Sequence, residues 1–172
     1  MLISDEYRQV LENEYEKDPR FGYTGFKYVS YMTEICTSGG FSSLLDYGCG
    51  SGQFGIKFLE ANPDIQLFEY DPAIPEKSHD PESAEVVLCS DVLEHVEPVC
   101  LDDVLRHLAS KARKIAVLGI ATRPSSQILA DGRNAHLIIE DAEWWVSKIV
   151  QYFSVLRQTS KPQFTLIIAQ PR

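Results

Sequence analysis

The sequence predicts an α/β fold with a mainly parallel sheet, and three observations lead to it. From about residue 42 onward, short apolar strands alternate with amphipathic helices, as in chains built from strand–helix–strand units. Two of these strands, at 42–47 and 65–70, end in glycine or aspartate, which favour turns. The last two strands are joined by only a short polar turn, which predicts an antiparallel pair.

Helices come first along the chain. Tyr7, Leu11 and Tyr15 recur at helical spacing and predict a helix over 5–17, and a second helix ends at the glycines that precede the first strand. We expect a single domain over 1–172, in which 1–40 forms a helical lid on an α/β core at 41–172.

The core elements follow from apolar periodicity and turn residues. They are strands over 42–47, 65–70, 84–89 and 114–120, helices over 53–61 and 101–110, a largely irregular segment over 121–139, a helix over 141–152, and closing strands over 153–157 and 163–169 around a turn at 159–162.

Composition narrows the function classes. A hydrophobic fraction of 44% and a charged fraction of 24% over 172 residues are ordinary for a globular protein. No segment reaches the ~20 apolar residues of a membrane span and no basic leader is seen, so a cytoplasmic protein without membrane contact is expected. The formal net charge of −9 and the scattered Lys and Arg argue against nucleic acid as a partner. The four cysteines form no CxxC pair, so we expect reduced, mostly buried thiols and no metal site.

A glycine-rich turn follows the first core strand, in the segment Leu44–Gly52 (LLDYGCGSG). Glycine lets the backbone approach a ligand closely, and the helix that follows offers its N-terminus. The GxGxxG pattern of dinucleotide-binding enzymes can also be read here, starting at Gly50. In that pattern the first glycine follows the strand directly, whereas here Asp46 occupies the strand end. A carboxylate there would repel pyrophosphate and suit a cationic ligand.

An acidic residue, Asp71, closes the next strand, nineteen residues after Gly52. A carboxylate at that strand tip accepts hydrogen bonds from ribose hydroxyls in nucleotide-binding α/β folds. Glu69 and Asp80 are competing acids, and Asp71 is preferred because it stands at the tip.

These motifs resemble those of class I S-adenosylmethionine-dependent methyltransferases over about 44–169. Leu44–Gly52 is similar to motif I, Phe68–Asp71 to the ribose-binding strand end, and Glu85–His95 to the fourth-strand motif with its "VLEH" turn. In the family's strand numbering, the resemblance implies a Rossmann-like three-layer sheet of order 2-1-4-5-7-6 with the last strand antiparallel. It also implies S-adenosylmethionine as the cofactor, held by Asp46, Gly48, Gly50, Gly52, Asp71 and Ser90.

The chain departs from the family between Asp71 and Ala84. Only twelve residues separate them, too few for the helix and third strand that the family places there, so the third, edge strand is expected to be missing. Adenine recognition must then come from elsewhere, and Ile74 and Tyr70 are candidates that ordinary packing would explain equally well.

Candidate catalytic residues follow the fourth and fifth family strands, whose carboxyl ends meet the ligand in such sheets. Asp91 and His95 follow the fourth strand, and His136 follows the fifth. Near neutral pH, a histidine side chain can take the proton from the group that is to be methylated. A structural hydrogen bond to a neighbouring carboxylate is the alternative for His95. His79, in the acidic linker, and His107, on a helix face that points away from the core, are expected at the surface. The substrate-binding candidates are Arg133, Asn134 and, from the lid, Tyr23. Arg133 and His136 are expected to face a pocket opposite His95. The alternative for Arg133 and Asn134 is that they bond to backbone carbonyls and hold their own loop in place.

The resulting hypothesis is methyl transfer to a small molecule or to a sugar- or lipid-linked acceptor. A nicotinamide-dependent oxidoreductase is disfavoured by the placement of the glycines, and a degenerate methyltransferase fold that serves as a binding or partner subunit is the alternative. The (D/N)PP(Y/F) motif of amino-methylating DNA enzymes is replaced by Ser90-Asp91-Val92-Leu93, and Cys100 lacks the preceding proline of cytosine-C5 enzymes. The oligomeric state is not predicted.

Overall fold

The computed structural model describes residues 1–17 and 23–172, and the side chains of Tyr23 and Thr24 lie outside that description. The helices are α1 (Asp5–Lys17), α2 (Val29–Gly39), α3 (Gln53–Ala61), α4 (Leu101–Lys111) and α5 (Ala142–Ile149). The strands are β1 (Ser43–Tyr47), β2 (Gln66–Tyr70), β3 (Ala84–Ser90), β4 (Ala112–Ala121), β5 (Phe153–Lys161) and β6 (Phe164–Pro171). Short 3₁₀ helices cover Tyr23–Tyr28, Pro75–Lys77, Leu93–His95 and Pro98–Cys100.

The six strands form one sheet in the order β2-β1-β3-β4-β6-β5. β1 is parallel to β2 and β3, β3 is parallel to β4, and β6 is antiparallel to both β4 and β5. In family numbering this is the expected order with an antiparallel last strand. Residues 72–83 form no strand, which confirms that the third family strand is missing and leaves β2 at the edge of the sheet.

Helices cover both faces of the sheet, and successive strand residues point to opposite layers. Leu45 and Val87 pack towards α4 and α5, while Leu44 and Val86 pack towards α2 and α3. All five residues of β1 are buried, as expected for a central parallel strand. The three-layer expectation is confirmed.

The two N-terminal helices occupy different places. α2 belongs to the layer that packs on the sheet, since Met32 and Cys36 are buried against β1 and β3 residues. α1 and the residues just before it instead pack through Tyr7 and Ile3 against Ala73, which follows β2, and against the loop after β4. Of the two, α1 is therefore the helix that lies over the carboxyl ends of the strands.

Two local expectations are corrected. The closing turn is not at 159–162, because β5 continues to Lys161 and only Pro162 and Gln163 connect it to β6. Proline sets the first φ and Gln163 takes a φ of 68°, the combination of a type II turn.

His107 does not point away from the core, contrary to the sequence-based expectation. Its Nδ1 lies 2.8 Å from the hydroxyl of Tyr47, and its ring packs against Tyr70. The four cysteines are buried and unpaired. None of the described helices combines the length and the apolar character that crossing a bilayer requires.

Candidate active site

A cavity of about 360 Å³ lies at the carboxyl ends of β1, β2 and β3, with α1 and the loop after β4 on its other sides. This is the place where open α/β sheets bind ligands. We call its two regions the glycine end, formed by Asp46, Gly48, Gly50 and Asp71, and the histidine end, formed by Asp91, His95 and His136.

The backbone shape of the glycine turn depends on contacts with neighbouring strands. The N–H groups of Gly48 and Cys49 donate to the carbonyl of Tyr70 at 2.7 and 3.0 Å, which ties the turn to the end of β2. Gly48 has a φ of 79°, and a Cβ there would lie 2.4 Å from Cγ2 of Val92. The turn therefore needs glycine at this position, where the two ends of the cavity meet. Gly52 caps α3 and does not line the cavity.

Asp71 faces the cavity from the tip of β2, and its carboxylate is well supplied with donors. Oδ2 accepts from the Gly50 N–H at 3.0 Å and the Tyr15 hydroxyl at 3.2 Å, and Oδ1 accepts from the Ala73 N–H at 2.9 Å. Burial raises the pKa of this carboxyl above its usual value, and these hydrogen bonds oppose the shift.

The competing acids point elsewhere. Glu69 forms an ion pair with Lys77 at 3.2 Å, and Asp80 lies at the surface beside His107 and Lys111. Of the three acids considered, only Asp71 lines the cavity.

Asp46 is a second buried carboxyl at the glycine end. Burial raises its pKa to about 8, the carboxylates of Glu69 and Asp71 add to the shift, and the Lys77 ammonium opposes it. At neutral pH this group is therefore mostly protonated in the free protein. A cationic ligand beside it would favour the carboxylate.

The histidine end begins with a strained residue. Asp91 directly follows β3 with a φ of 54°, which is uncommon for a residue other than glycine, and its N–H donates to the Gly119 carbonyl at 2.8 Å. Its carboxylate lies 2.7 Å from the Lys27 ammonium. Strain of this kind often accompanies functional positions. Ser90, the last residue of β3, also lines the cavity.

His95 and His136 lie side by side rather than on opposite walls, which corrects the expected arrangement. Their ring centroids are 4.8 Å apart and their planes are almost perpendicular. Nδ1 of His136 donates to the Arg123 carbonyl at 2.6 Å, which leaves Nε2 with the lone pair when the ring is neutral. Burial, helped by His136, lowers the pKa of His95 to about 4, so this imidazole is neutral at pH 7.

Glu94 directly precedes His95 in the sequence and is fully buried. Its Oε1 accepts from the Ala121 N–H at 2.8 Å. Burial raises its pKa to about 8. The histidine end thus includes a buried carboxyl beside the two imidazoles.

Two of the expected substrate-binding residues, Arg133 and Asn134, are not brought into the cavity. The side chain of Asn134 is hydrogen-bonded within its own loop. It accepts from the N–H groups of Ser125 and His136 and donates to the Ser125 carbonyl. Arg133 pairs with Asp131 at 2.6 Å and lies 4.9 Å above the Tyr7 ring. Both residues position the loop that carries His136. The side chain of Tyr23 lies outside the described part of the chain.

Sequence reasoning expected an N-terminal lid but did not select the residues of α1 that reach the cavity. Tyr7, Leu11 and Tyr15, four residues apart, form the stripe of the helix that lines the cavity. The helical spacing was visible, but its target depends on packing against Ala73 and Leu129. The adenine candidates are also corrected: neither Ile74 nor Tyr70 lines the cavity, and Tyr70 packs on Tyr47.

A model of the methyltransferase domain family matches residues 7–159, nearly the whole described fold. The chain belongs to this methyltransferase family. The family resemblance of the sequence motifs is thereby confirmed. No curated protein sequence matches the chain significantly.

Solved structures similar to this methyltransferase share its fold at low sequence identity. The 1,6-didemethyltoxoflavin-N1-methyltransferase of Burkholderia thailandensis, with bound 1,6-didemethyltoxoflavin and S-adenosylhomocysteine, is 15% identical. It aligns over 96% of this chain and 89% of its own, with a TM-score of 0.69. The magnesium protoporphyrin IX methyltransferase of Synechocystis PCC 6803, with bound S-adenosylhomocysteine, is 18% identical over 91% and 86%, with a TM-score of 0.59. An O-methyltransferase family protein of B. thailandensis is 14% identical over 93% and 62%, with a TM-score of 0.64. These likenesses establish the Rossmann-like methyltransferase fold.

Proposed function

We propose that this methyltransferase binds S-adenosylmethionine at the glycine end and transfers a methyl group to a small-molecule or sugar- or lipid-linked acceptor at the histidine end. The observation that carries the proposal is that one cavity joins Asp46 and Asp71 to His95 and His136. The similar toxoflavin enzyme, which is described with a small substrate and S-adenosylhomocysteine, supports an acceptor of this class.

The donor set of the glycine end fits the cofactor. Two buried carboxyls face the cavity there, and a ligand with a cationic group and ribose hydroxyls can satisfy both. Asp71 would accept the ribose hydroxyls and Asp46 the ammonium group, while Gly48 and Gly50 give the ligand close access to the backbone. Ser90 lines the cavity beside them.

The acceptor chemistry is assigned to the histidine end. When bound, S-adenosylmethionine supplies an activated methyl group and leaves as a thioether. The protein has to hold the acceptor in line with that group and exclude water. We assign the uptake of the acceptor's proton to Nε2 of His136, because Nδ1 is engaged with the Arg123 carbonyl. His95 and Asp91 stand beside it and orient the acceptor.

The N-terminal segment completes the site. Within a single domain over 1–172, we assign the role of lid to α1, which brings Tyr7 and Tyr15 over the cavity. Tyr15 contacts Asp71 directly, so the lid and the glycine end are linked by a hydrogen bond.

Calorimetry with S-adenosylmethionine and with NADH tests the cofactor assignment. We expect binding of S-adenosylmethionine alone; binding of NADH alone would overturn the proposal. Formation of S-adenosylhomocysteine with a panel of phenols, amines and sugar-linked hydroxyls then tests the transfer. Cofactor binding without transfer to any member of the panel would favour the binding-subunit alternative.

A further inference from the structure

We propose that Glu94, His95 and His136 bind a divalent transition-metal cation at the histidine end, and that the cation holds the hydroxyl of the acceptor. The cation site depends only on residues of this chain. The role assigned to the cation rests on the proposed function, because it concerns the acceptor of that methyl transfer.

The three side chains already converge. One carboxylate oxygen of Glu94 and one ring nitrogen from each histidine lie within 4.8 Å of one another. A shared cation at roughly 2 Å from each ligand atom would bring these atoms to about 3.5 Å apart, so shifts of about an ångström complete the site. Side-chain adjustment on that scale needs no movement of the strands.

An unsatisfied atom points to a ligand independently of this spacing. Glu94 is fully buried, and its Oε2 has no hydrogen-bond partner among the described residues, while Oε1 is held by the Ala121 N–H. Buried carboxylate oxygens are normally paired, because leaving one unpaired costs free energy. A cation between the two histidines would supply the missing partner.

The imidazole of His136 is oriented as metal ligands usually are. A ligating histidine commonly donates its second ring N–H to a backbone carbonyl, which fixes the tautomer and the ring. Nδ1 of His136 donates to the Arg123 carbonyl at 2.6 Å. Its Nε2 is thus left for a metal, and the ring of His95 lies 4.8 Å away, centroid to centroid.

The ligand types select the class of cation. Two imidazoles and one carboxylate suit Zn²⁺, Mn²⁺, Fe²⁺ or Co²⁺, whereas Mg²⁺ and Ca²⁺ prefer oxygen ligands alone. Three protein ligands leave coordination positions open, the arrangement of catalytic and not of structural sites. The open positions face the cavity, since His95 and His136 line it and Glu94 lies behind them.

The cation changes how the acceptor is activated. A hydroxyl bound to it has a lowered pKa and loses its proton to water or buffer, so Nε2 of His136 serves as a ligand in place of a base. The acceptor oxygen then forms a bond to the methyl carbon while the carbon–sulfur bond breaks and its electron pair stays on sulfur. The substrate class inferred is therefore a hydroxyl compound, and the reaction an O-methylation.

The test uses the full chain, freed of metal with a chelator and titrated with ZnCl₂ and with CoCl₂. We expect one equivalent to bind, with a visible Co²⁺ absorption band that reports imidazole ligation. His136→Ala and Glu94→Gln should each weaken binding at least about 100-fold, more than the loss of a supporting group causes. His79→Ala, which removes an exposed histidine outside the cavity, should leave binding unchanged.

Affinity for S-adenosylmethionine is measured on the same metal-free samples. Retained cofactor binding shows that the variants are folded and that the cofactor half of the proposed function stands whatever the metal result. Absence of metal binding in the wild type, or equal metal affinity in His136→Ala, would overturn the inference. A wild type that binds metal but no S-adenosylmethionine would instead overturn the proposed function and leave the cation site intact.

Discussion

The glycine end and the histidine end of the cavity are held in place by different means. At the glycine end, Asp46 and Asp71 stand at the tips of adjacent parallel strands, and the turn between β1 and α3 is bonded to the end of β2. At the histidine end, His95 and His136 come from segments about forty residues apart, and loop contacts through Asn134 and Arg123 bring them together. Strand pairing thus holds the glycine end in place, and hydrogen bonds of the loop after β4 hold the histidine end in place. A substitution in the glycine turn should therefore lower stability, whereas a substitution at the histidine end should lower activity.

The largest effect is expected where the two ends meet. Gly48→Ala should lower the free energy of unfolding by about 2–4 kcal/mol, because a Cβ meets Val92 and the positive φ is strained. Gly40→Ala is the matched control: its φ is 62°, but a Cβ there has nothing within 4 Å, so only about 1 kcal/mol should be lost. Urea unfolding measures both, and equal losses would show that the contact with Val92 does not matter.

The histidine end should lose turnover without losing the cofactor. We expect His136→Ala to reduce kcat about 100-fold or more, since it removes a group that activates the acceptor, while the Kd for S-adenosylmethionine is unchanged. His79→Ala should alter neither quantity. A parallel loss of cofactor affinity in His136→Ala would mean that the two ends are not separable.

The glycine end should show the reverse behaviour. Asp71→Ala is expected to weaken S-adenosylmethionine binding at least about tenfold, because it removes a charge-assisted acceptor for the ribose hydroxyls. Glu69→Gln, on the same strand but directed at Lys77, should weaken binding far less. If calorimetry finds the larger loss in Glu69→Gln, the ribose contact belongs to that residue. Thermal unfolding of Asp71→Ala separates lost binding from loss of the Gly50 and Tyr15 contacts.

The smallest effect concerns pH. Because burial raises the pKa of Asp46 to about 8 in the free protein, binding a cation beside it below that pH requires the loss of a proton. Affinity for S-adenosylmethionine should therefore rise severalfold from pH 6 to pH 7 and fall again above about pH 8, where the ammonium group of the cofactor loses its charge. The same raised pKa makes the free protein less stable as pH rises from about 4 towards 8, since the unfolded carboxyl ionises first. Asp46→Asn should abolish the rise in affinity, and a pH profile identical to that of the wild type would exclude Asp46 as its source.

Much of the fold could be predicted from the sequence because it depends on local spacing. The helices over 5–17 and 53–61 have the bounds that their apolar periodicity indicated, and the short segment after Asp71 was enough to predict the missing strand. The position of Asp71 at the cavity followed from the rule that ligands meet the carboxyl ends of parallel strands.

The rest depends on contacts between distant segments, which spacing does not report. Tyr7 and Tyr15 line the cavity only because α1 packs against Leu129 and Ala73. Arg133 was expected to face the acceptor, but Asp131, two residues away, takes its guanidinium. The sequence places Glu94 beside His95, but nothing in a sequence marks a carboxylate oxygen that will be buried without a partner.

The missing third strand bears on how the length of the segment after β2 can change. An edge strand is the one element that a sheet can lose or gain without breaking any remaining ladder, so length can vary after β2 while the strand tips that line the cavity stay in place. The same open edge is a template for self-association. β2 limits that risk by being only five residues long and by carrying the charged Glu69, whose ion pair with Lys77 folds the following segment back beside it.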